Sequence, residues 1–341
     1  MNKNTVETKK IGNKLESMGN MVNHPGSERE AGLFSELRHR ILNLRMLFAI
    51  LVTVGLVFLL LRSVSLDLLN ESLGAVSVWG WLAVGSISLV YPFLVAKRWS
   101  IVLSCMRHQL PMTRCVLLVL ASFAINPFTI SKAGDFLKAF FLRKKISIWE
   151  CSGSILVEKY LDILTVLFLG LLGAIIIWKP SLVLFSGIFL VILIGAFCIA
   201  PKAVTYIEKW PTISEKIQGL ILARNSIAMH PLMFTKAMMI SLIVRWLSFL
   251  QIFIIANFLV IDISFMKIFA VFPIAICVGL LPITLSGIGT RDAVLVMLLA
   301  LQTSDALALG IAYTLFNYFI LSFLGIPFLI WILTRKNVFQ E

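Results

Sequence analysis

Charged side chains are scarce in this sequence, and several interrupt long apolar runs. Glu158, Lys159 and Asp162 stand in the run 153–177, Arg245 in 237–259, and Arg291 and Asp292 just beyond 268–285. An acid or base at the centre of a membrane helix costs about 2.5–3.5 kcal/mol on insertion scales, so such residues need a partner or a water-filled cavity. Glu158 and Asp162 are four apart and share a helix face. Counted from Gly153, Asp162 is nine residues in, roughly 13 Å at helical rise. Arg245 is eight residues into its run, about 12 Å. Glu158 and Lys159 are shallower and can snorkel to the interface. Two readings stay open. The charges pair only with one another, Arg245 with Asp162 for instance. Or they line a cavity in which Lys138, Arg245 and Arg291 neutralise an anionic head group, while Asp135, Glu158, Asp162 and Asp292 hold those bases in place or carry protons.

Two polar breaks accompany these charges. Residues 127–134 and 282–289 both read Pro-x-Thr-x-Ser-x-x-Gly, 155 residues apart. Pro127, Ser131 and Gly134 mark the first break, and Pro282, Ser286, Gly287 and Gly289 the second. Pro and Gly end a helix and leave amides unpaired, a cost that Thr and Ser hydroxyls reduce. A helix starting at Asp135 or Thr290 would aim free N–H groups inward, an arrangement that binds phosphate. Asp135 would cap that helix, with Lys138 on the same face or serving as a cytoplasmic anchor.

The elements that must hold these residues are membrane helices. Of 341 residues, 59% are hydrophobic and 14% charged, and the mean hydropathy is +0.96; a soluble domain carries about a quarter charged residues. The formal charge of +13 fits loop Lys and Arg that fix topology and touch anionic lipid, not nucleic acid. Five cysteines without Cys-x-x-Cys spacing and four histidines outside the apolar runs give no metal site, disulfide or cofactor to expect.

Full spans are expected at 44–61, 76–96, 153–177, 181–200, 237–259 and 306–333. The second ends in Lys97-Arg98-Trp99, which reads as an interface anchor. Runs 115–130, 268–285 and 293–302 are short or broken, as the arms of re-entrant hairpins are; the alternative is that 115–134 is an ordinary span, which would put Arg143, Lys144 and Lys145 outside. The loop 201–236 carries five bases against two acids and reads as cytoplasmic, with a surface amphipathic helix. The positive-inside rule puts the two breaks in mirror positions. The fold class is therefore an all-α polytopic membrane protein of about six full spans plus two re-entrant hairpins in an inverted-topology repeat. Its halves are 41–178 and 179–335, flanked by a polar cytoplasmic tail, 1–40, and a short cytoplasmic end, 336–341.

Gly134-Asp135-x-x-Lys138-Ala139-x-x-Leu142 resembles the Gly-Glu/Asp-x-x-Arg-Ala-x-x-Leu motif of the lysylphosphatidylglycerol synthase transmembrane family, also called the flippase-like domain family. Glu158-Lys159-Tyr160-Leu161-Asp162 resembles its Glu-Arg-Leu-Leu-Asp motif, and residues 282–293 its Pro-Ile-Ser-Pro-Gly-Gly-Leu-Gly-x-Arg-Glu-Ala motif. Arg98-Trp99 fits the Arg-Trp that ends an earlier span. Together they cover roughly 44–335. The departures are Lys at 138 and 159, Asp at 135 and 292, and Ser286 for a Gly, with charge sign kept.

The resemblance implies a lipid-translocating module of a cytoplasmic membrane, both termini inside, that moves a modified phospholipid or a polyprenyl-phosphate-linked sugar. Some members join it to a soluble aminoacyl-transfer domain. With the chain ending at Glu341, the expectation is no enzyme and a synthase name inherited from longer relatives. The partners expected are anionic membrane lipids and a glycosyltransferase or lipid-modifying enzyme. The alternatives are an accessory subunit presenting a lipid carrier to a glycosyltransferase, and a proton-coupled small-solute transporter.

Overall fold

The computed structural model describes residues 78–129, 132–207, 211–280, 284, 289–299 and 303–334. The tail 1–40, the expected span 44–61, the end 336–341, and Ser131, Pro282, Ser286 and Gly287 lie outside them. Every element among the described residues is helical. In order they are α1 (Val78–Cys105), α2 (Met112–Ile125), α3 (Leu137–Leu142), α4 (Ile148–Ile176), α5 (Pro180–Ile207), α6 (Pro211–Met229), α7 (Pro231–Phe258), α8 (Phe265–Gly279), α9 (Thr290–Leu299), α10 (Thr303–Thr314) and α11 (Leu321–Thr334). A π-helical turn, Leu315–Ile320, joins the last two.

Five helical stretches are long and apolar enough to cross a membrane: α1, α4, Pro180–Ala200 of α5, α7, and Ala308–Thr334. Each coincides with an expected span, but the ends differ. The second span does not stop at 96. α1 runs on to Cys105, and Arg98 and Trp99 are 2% and 0% exposed. They are interior residues, not an interface anchor. Hydropathy ends a run at its first charges; it is blind to acids sixty residues later that neutralise one of them. Trp99 Nε1 likewise donates to Ser154 Oγ on α4 at 3.0 Å.

The helix foreseen in the loop 201–236 exists as α6, but it is docked rather than free on the surface. It packs on α4, and a Cβ on Gly219 would lie 2.3 Å from the Trp149 backbone. Ala223 and Ile227 are fully buried.

α2 and α8 hold 14 and 15 residues, about 21–22 Å at 1.5 Å per residue, short of a hydrocarbon core of about 30 Å. α2 packs on α11 and α8 on α4. Gly325 lets α11 approach α2 closely, and Ser322 Oγ donates to the Ala124 carbonyl there at 2.7 Å. The segment from α2 to α3 starts and ends at one place: His108, before it, contacts Glu150, after it, at 3.0 Å.

α1 and α7 lie side by side and antiparallel. Gln251 Nε2 donates to Ser88 Oγ at 2.8 Å, while Arg98 Nη1 donates to Ser241 Oγ at 3.1 Å. The residue number falls on α7 as it rises on α1. Apolar clusters fill the space around these polar bridges, one centred on Phe249, Phe269 and Phe272, another on Trp99, Leu118 and Leu142.

Candidate substrate cavity

The first break is folded by its own side chains. Asn126–Phe128 forms a 3-10 turn, Lys132 sits in the left-handed region at φ 56°, and Ala133–Phe136 makes a second 3-10 turn. Thr129 Oγ1 donates to the Asn126 carbonyl at 3.0 Å and accepts the Gly134 amide at 3.1 Å. Asp135 does not cap a helix. Its Oδ1 accepts from Asn126 Nδ2 at 3.0 Å and Ser122 Oγ at 3.4 Å, and its Oδ2 pairs with Lys159. The following helix, α3, is only six residues long. What it contributes is Lys138, whose Nζ reaches Glu158 Oε2 at 2.7 Å and lies 4.6 Å from the Trp99 ring centre.

Beside this break is a cavity of about 350 Å³, walled by α1, the break, α4, α7, the end of α8 and the π turn. The acids of α4 organise it. Arg98 grips Asp162 with two nitrogens, Nη1 to Oδ1 at 2.7 Å and Nη2 to Oδ2 at 3.1 Å, and leans on Glu158 at 3.4 Å. Arg245 Nη2 donates to Asp162 Oδ1 at 2.6 Å. Asp162 and Arg245 both lie half-way along their helices, α4 and α7. The wall therefore carries five bases (Arg98, Lys132, Lys138, Lys159 and Arg245) and three acids (Asp135, Glu158 and Asp162), an excess of +2. In surroundings of low dielectric that excess is felt strongly by an entering anion. Leu156 and Phe136 belong to the wall and are 40% and 37% exposed, so the polar chamber has an apolar edge.

Of the residues singled out in sequence, Asp135, Lys138, Glu158, Asp162 and Arg245 meet in this cavity, as does Pro127. Gly134 is buried in the break, where a Cβ would lie 2.6 Å from Asn126 Oδ1. Arg291 and Asp292 are not on the cavity wall. They pair with each other at 2.6 Å, and Arg291 also donates to Thr314 Oγ1 and the Gly310 carbonyl. Asp292 Oδ2 accepts the Gly289 amide at 3.1 Å, where Gly289 takes φ 88°. That pair closes the second break onto α10.

A sequence model of the lysylphosphatidylglycerol synthase TM region matches residues 46–325, most of the chain and every charge in the cavity. The chain belongs to that family. No curated relative matches it.

Within this family member, sequence reasoning missed the central cation, Arg98, and the wall residues Lys132, Tyr313, Asn317 and Tyr318. A signal for some of them was present. Tyr313 and Asn317 lie 155 residues after Glu158 and Asp162, the same interval that separates the two breaks. Ser241 and Gln251 likewise follow Ser88 and Arg98 by 153. Asn317 Nδ2 donates to Gln251 Oε1 at 2.8 Å, 155 and 153 residues after Asp162 and Arg98. One cluster is ionic, and its counterpart is neutral.

Proposed function

We propose that this protein carries a lipid between the leaflets of a cytoplasmic membrane, its head group passing through the cavity around Asp162. The observation that carries this reading is a chamber of net positive charge half-way along α4 and α7, edged by exposed apolar side chains. A head group crosses in such a chamber while its acyl or prenyl chains stay in lipid. An excess of +2 favours an anionic lipid, either a phospholipid or a polyprenyl-phosphate-linked sugar. The chain performs no group transfer of its own on this reading.

The two halves then form an inverted-topology repeat. Three features support it. α1 and α7 carry matching polar residues at an interval of 153 and run antiparallel, as helices related by an axis in the membrane plane would. The short arms α2 and α8 are exchanged between halves in the same way. The contact of His108 with Glu150 suits a segment that enters and leaves on one side, a re-entrant hairpin. The family's name, which refers to lysylphosphatidylglycerol, supports a lipid as cargo.

The test is reconstitution of the full chain into phosphatidylcholine vesicles doped with a fluorescent anionic phospholipid, followed by addition of an impermeant quencher. Transport predicts that quenching proceeds past the outer leaflet and falls to background in Arg245→Gln. An inner-leaflet pool that stays protected at all protein densities refutes it.

A further inference from the structure

Two cations on the cavity wall hold donors that no carboxylate uses. Lys132 is in no ion pair among the described residues; its Nζ sits 4.8 Å from the Tyr318 ring centre and hydrogen-bonds that side chain, which leaves two of its three N–H donors for a ligand. Arg245 is 6% exposed and spends Nη2 on Asp162, but its Nε is buried with no hydrogen-bond partner among the described residues. An unmet N–H in a buried site is costly, and a ligand is one reason to keep it. The three wall acids are the reverse case: Asp135 is taken by Lys159, Glu158 by Lys138 and Arg98, and Asp162 by Arg98 and Arg245. The chamber offers spare donors and no spare carboxylate.

Backbone irregularity marks the same place. Lys132 has φ 56°, in a region that non-glycine residues seldom occupy. Tyr318 belongs to the π turn Leu315–Ile320, and such turns occur disproportionately at functional sites. Two unusual backbone segments, from opposite halves, bring Lys132 and Tyr318 together.

We propose that Lys132 and the Arg245 Nε edge form a phosphate subsite, and that the ligand is a phosphate ester that carries no cationic group. A glycerol- or sugar-bearing phosphodiester fits. A choline or aminoacyl head group does not, because its ammonium would meet an excess of +2 and find each acid already paired. This rests on the transport reading only for the lipid that brings the phosphate.

The experiment is a titration of the purified full chain in detergent, followed by thermal stabilisation, with four probes: short-chain phosphatidylglycerol, short-chain phosphatidylcholine, lysyl-phosphatidylglycerol and inorganic phosphate. Phosphatidylglycerol is expected to bind at least about tenfold tighter than the other two lipids, and Lys132→Gln and Arg245→Gln are each expected to weaken it by about tenfold, the loss of one charge-assisted contact. Lys132→Arg should restore it. Inorganic phosphate that binds as tightly as the lipid keeps the subsite and assigns it to free phosphate. Equal binding of the three lipids, or unchanged affinity in Lys132→Gln, overturns the proposal. Lys132 makes no ion pair, so that variant keeps its fold even where Arg245→Gln does not. Lipid transport without charge preference leaves the proposed function standing and removes this subsite; selective binding without transport does the opposite.

Discussion

Replacing Arg98 removes the one side chain among the described residues that pairs with both Glu158 and Asp162. Its fork makes contacts of 2.7 and 3.1 Å to Asp162, and weaker ones of 3.4 Å to Glu158. A hydrogen bond to a charged group contributes about 1.5–3 kcal/mol, while stranding a buried charge costs about 3–5 kcal/mol. In Arg98→Gln neither acid is stranded, since Arg245 still holds Asp162 and Lys138 still holds Glu158. The loss should therefore sit near the lower range, about 2 kcal/mol. Asp162→Asn is worse, because Arg245 loses the one carboxylate it pairs with among the described residues and Arg98 keeps only its longer contact to Glu158, and about 3–5 kcal/mol is expected. Arg98→Gln/Asp162→Asn replaces the ion pair with the side chains that Gln251 and Asn317 already use at the equivalent places. It should cost less than the sum of the singles by about 1–3 kcal/mol. Reversible unfolding in mixed micelles measures all three. Additive losses, or an Arg98→Gln loss below about 0.5 kcal/mol, the size of an ordinary surface change, would refute the buried bridge and return Arg98 to the interface.

Two further outcomes test the packing and the topology. Gly325→Ala would put a Cβ 2.2 Å from the Leu120 carbonyl oxygen, so α2 and α11 must part; thermal unfolding should show a loss of about 1–3 kcal/mol. Gly195→Ala meets nothing within 4 Å and should change stability by less than about 0.5 kcal/mol. With the native cysteines replaced by Ala, single cysteines at Gln109, Ser147 and Asp262 should label from the cytoplasm, the cytoplasm and the outside respectively. Labelling of positions 109 and 147 from opposite faces would make α2 a span.

Much of the architecture was legible because lipid imposes one simple rule: long apolar helices with polar breaks only where protein covers them. The broken runs at Pro127 and Pro282 announced α2 and α8 for that reason. So did the deep acid, since Asp162 had no route to water. What stayed hidden was partnership across the chain. Arg98 lies beside Lys97 and before Trp99, and locally that is the composition of an interface. Only the fold shows Lys97 exposed and Arg98 buried between Glu158, Asp162 and Ser241. Arg291 misled in the opposite sense. Its position beside a break suggested the chamber, yet its neighbour Asp292 takes its charge.

On the proposed repeat, the neutral cluster explains why the likeness between the halves is faint in sequence. Under the antiparallel pairing, Arg98 with Ser241 and Gln251 with Ser88 are one contact made twice. Ancestral copies of such a contact need not stay alike. An Arg–Asp bridge and a Gln–Asn bridge both satisfy buried polar groups, but only the first carries formal charges into the chamber. Placing ions on one side of the axis and amides on the other keeps the packing near symmetric while making the electrostatics one-sided. A head group at the axis would then be held by Lys132 and Arg245 and have no second charged site to fall into. Two ionic clusters would have doubled the desolvation cost of several kcal/mol per ion, roughly, that burial exacts. On the proposed repeat, Gln251, Tyr313 and Asn317 are the positions where a second set of charges would stand.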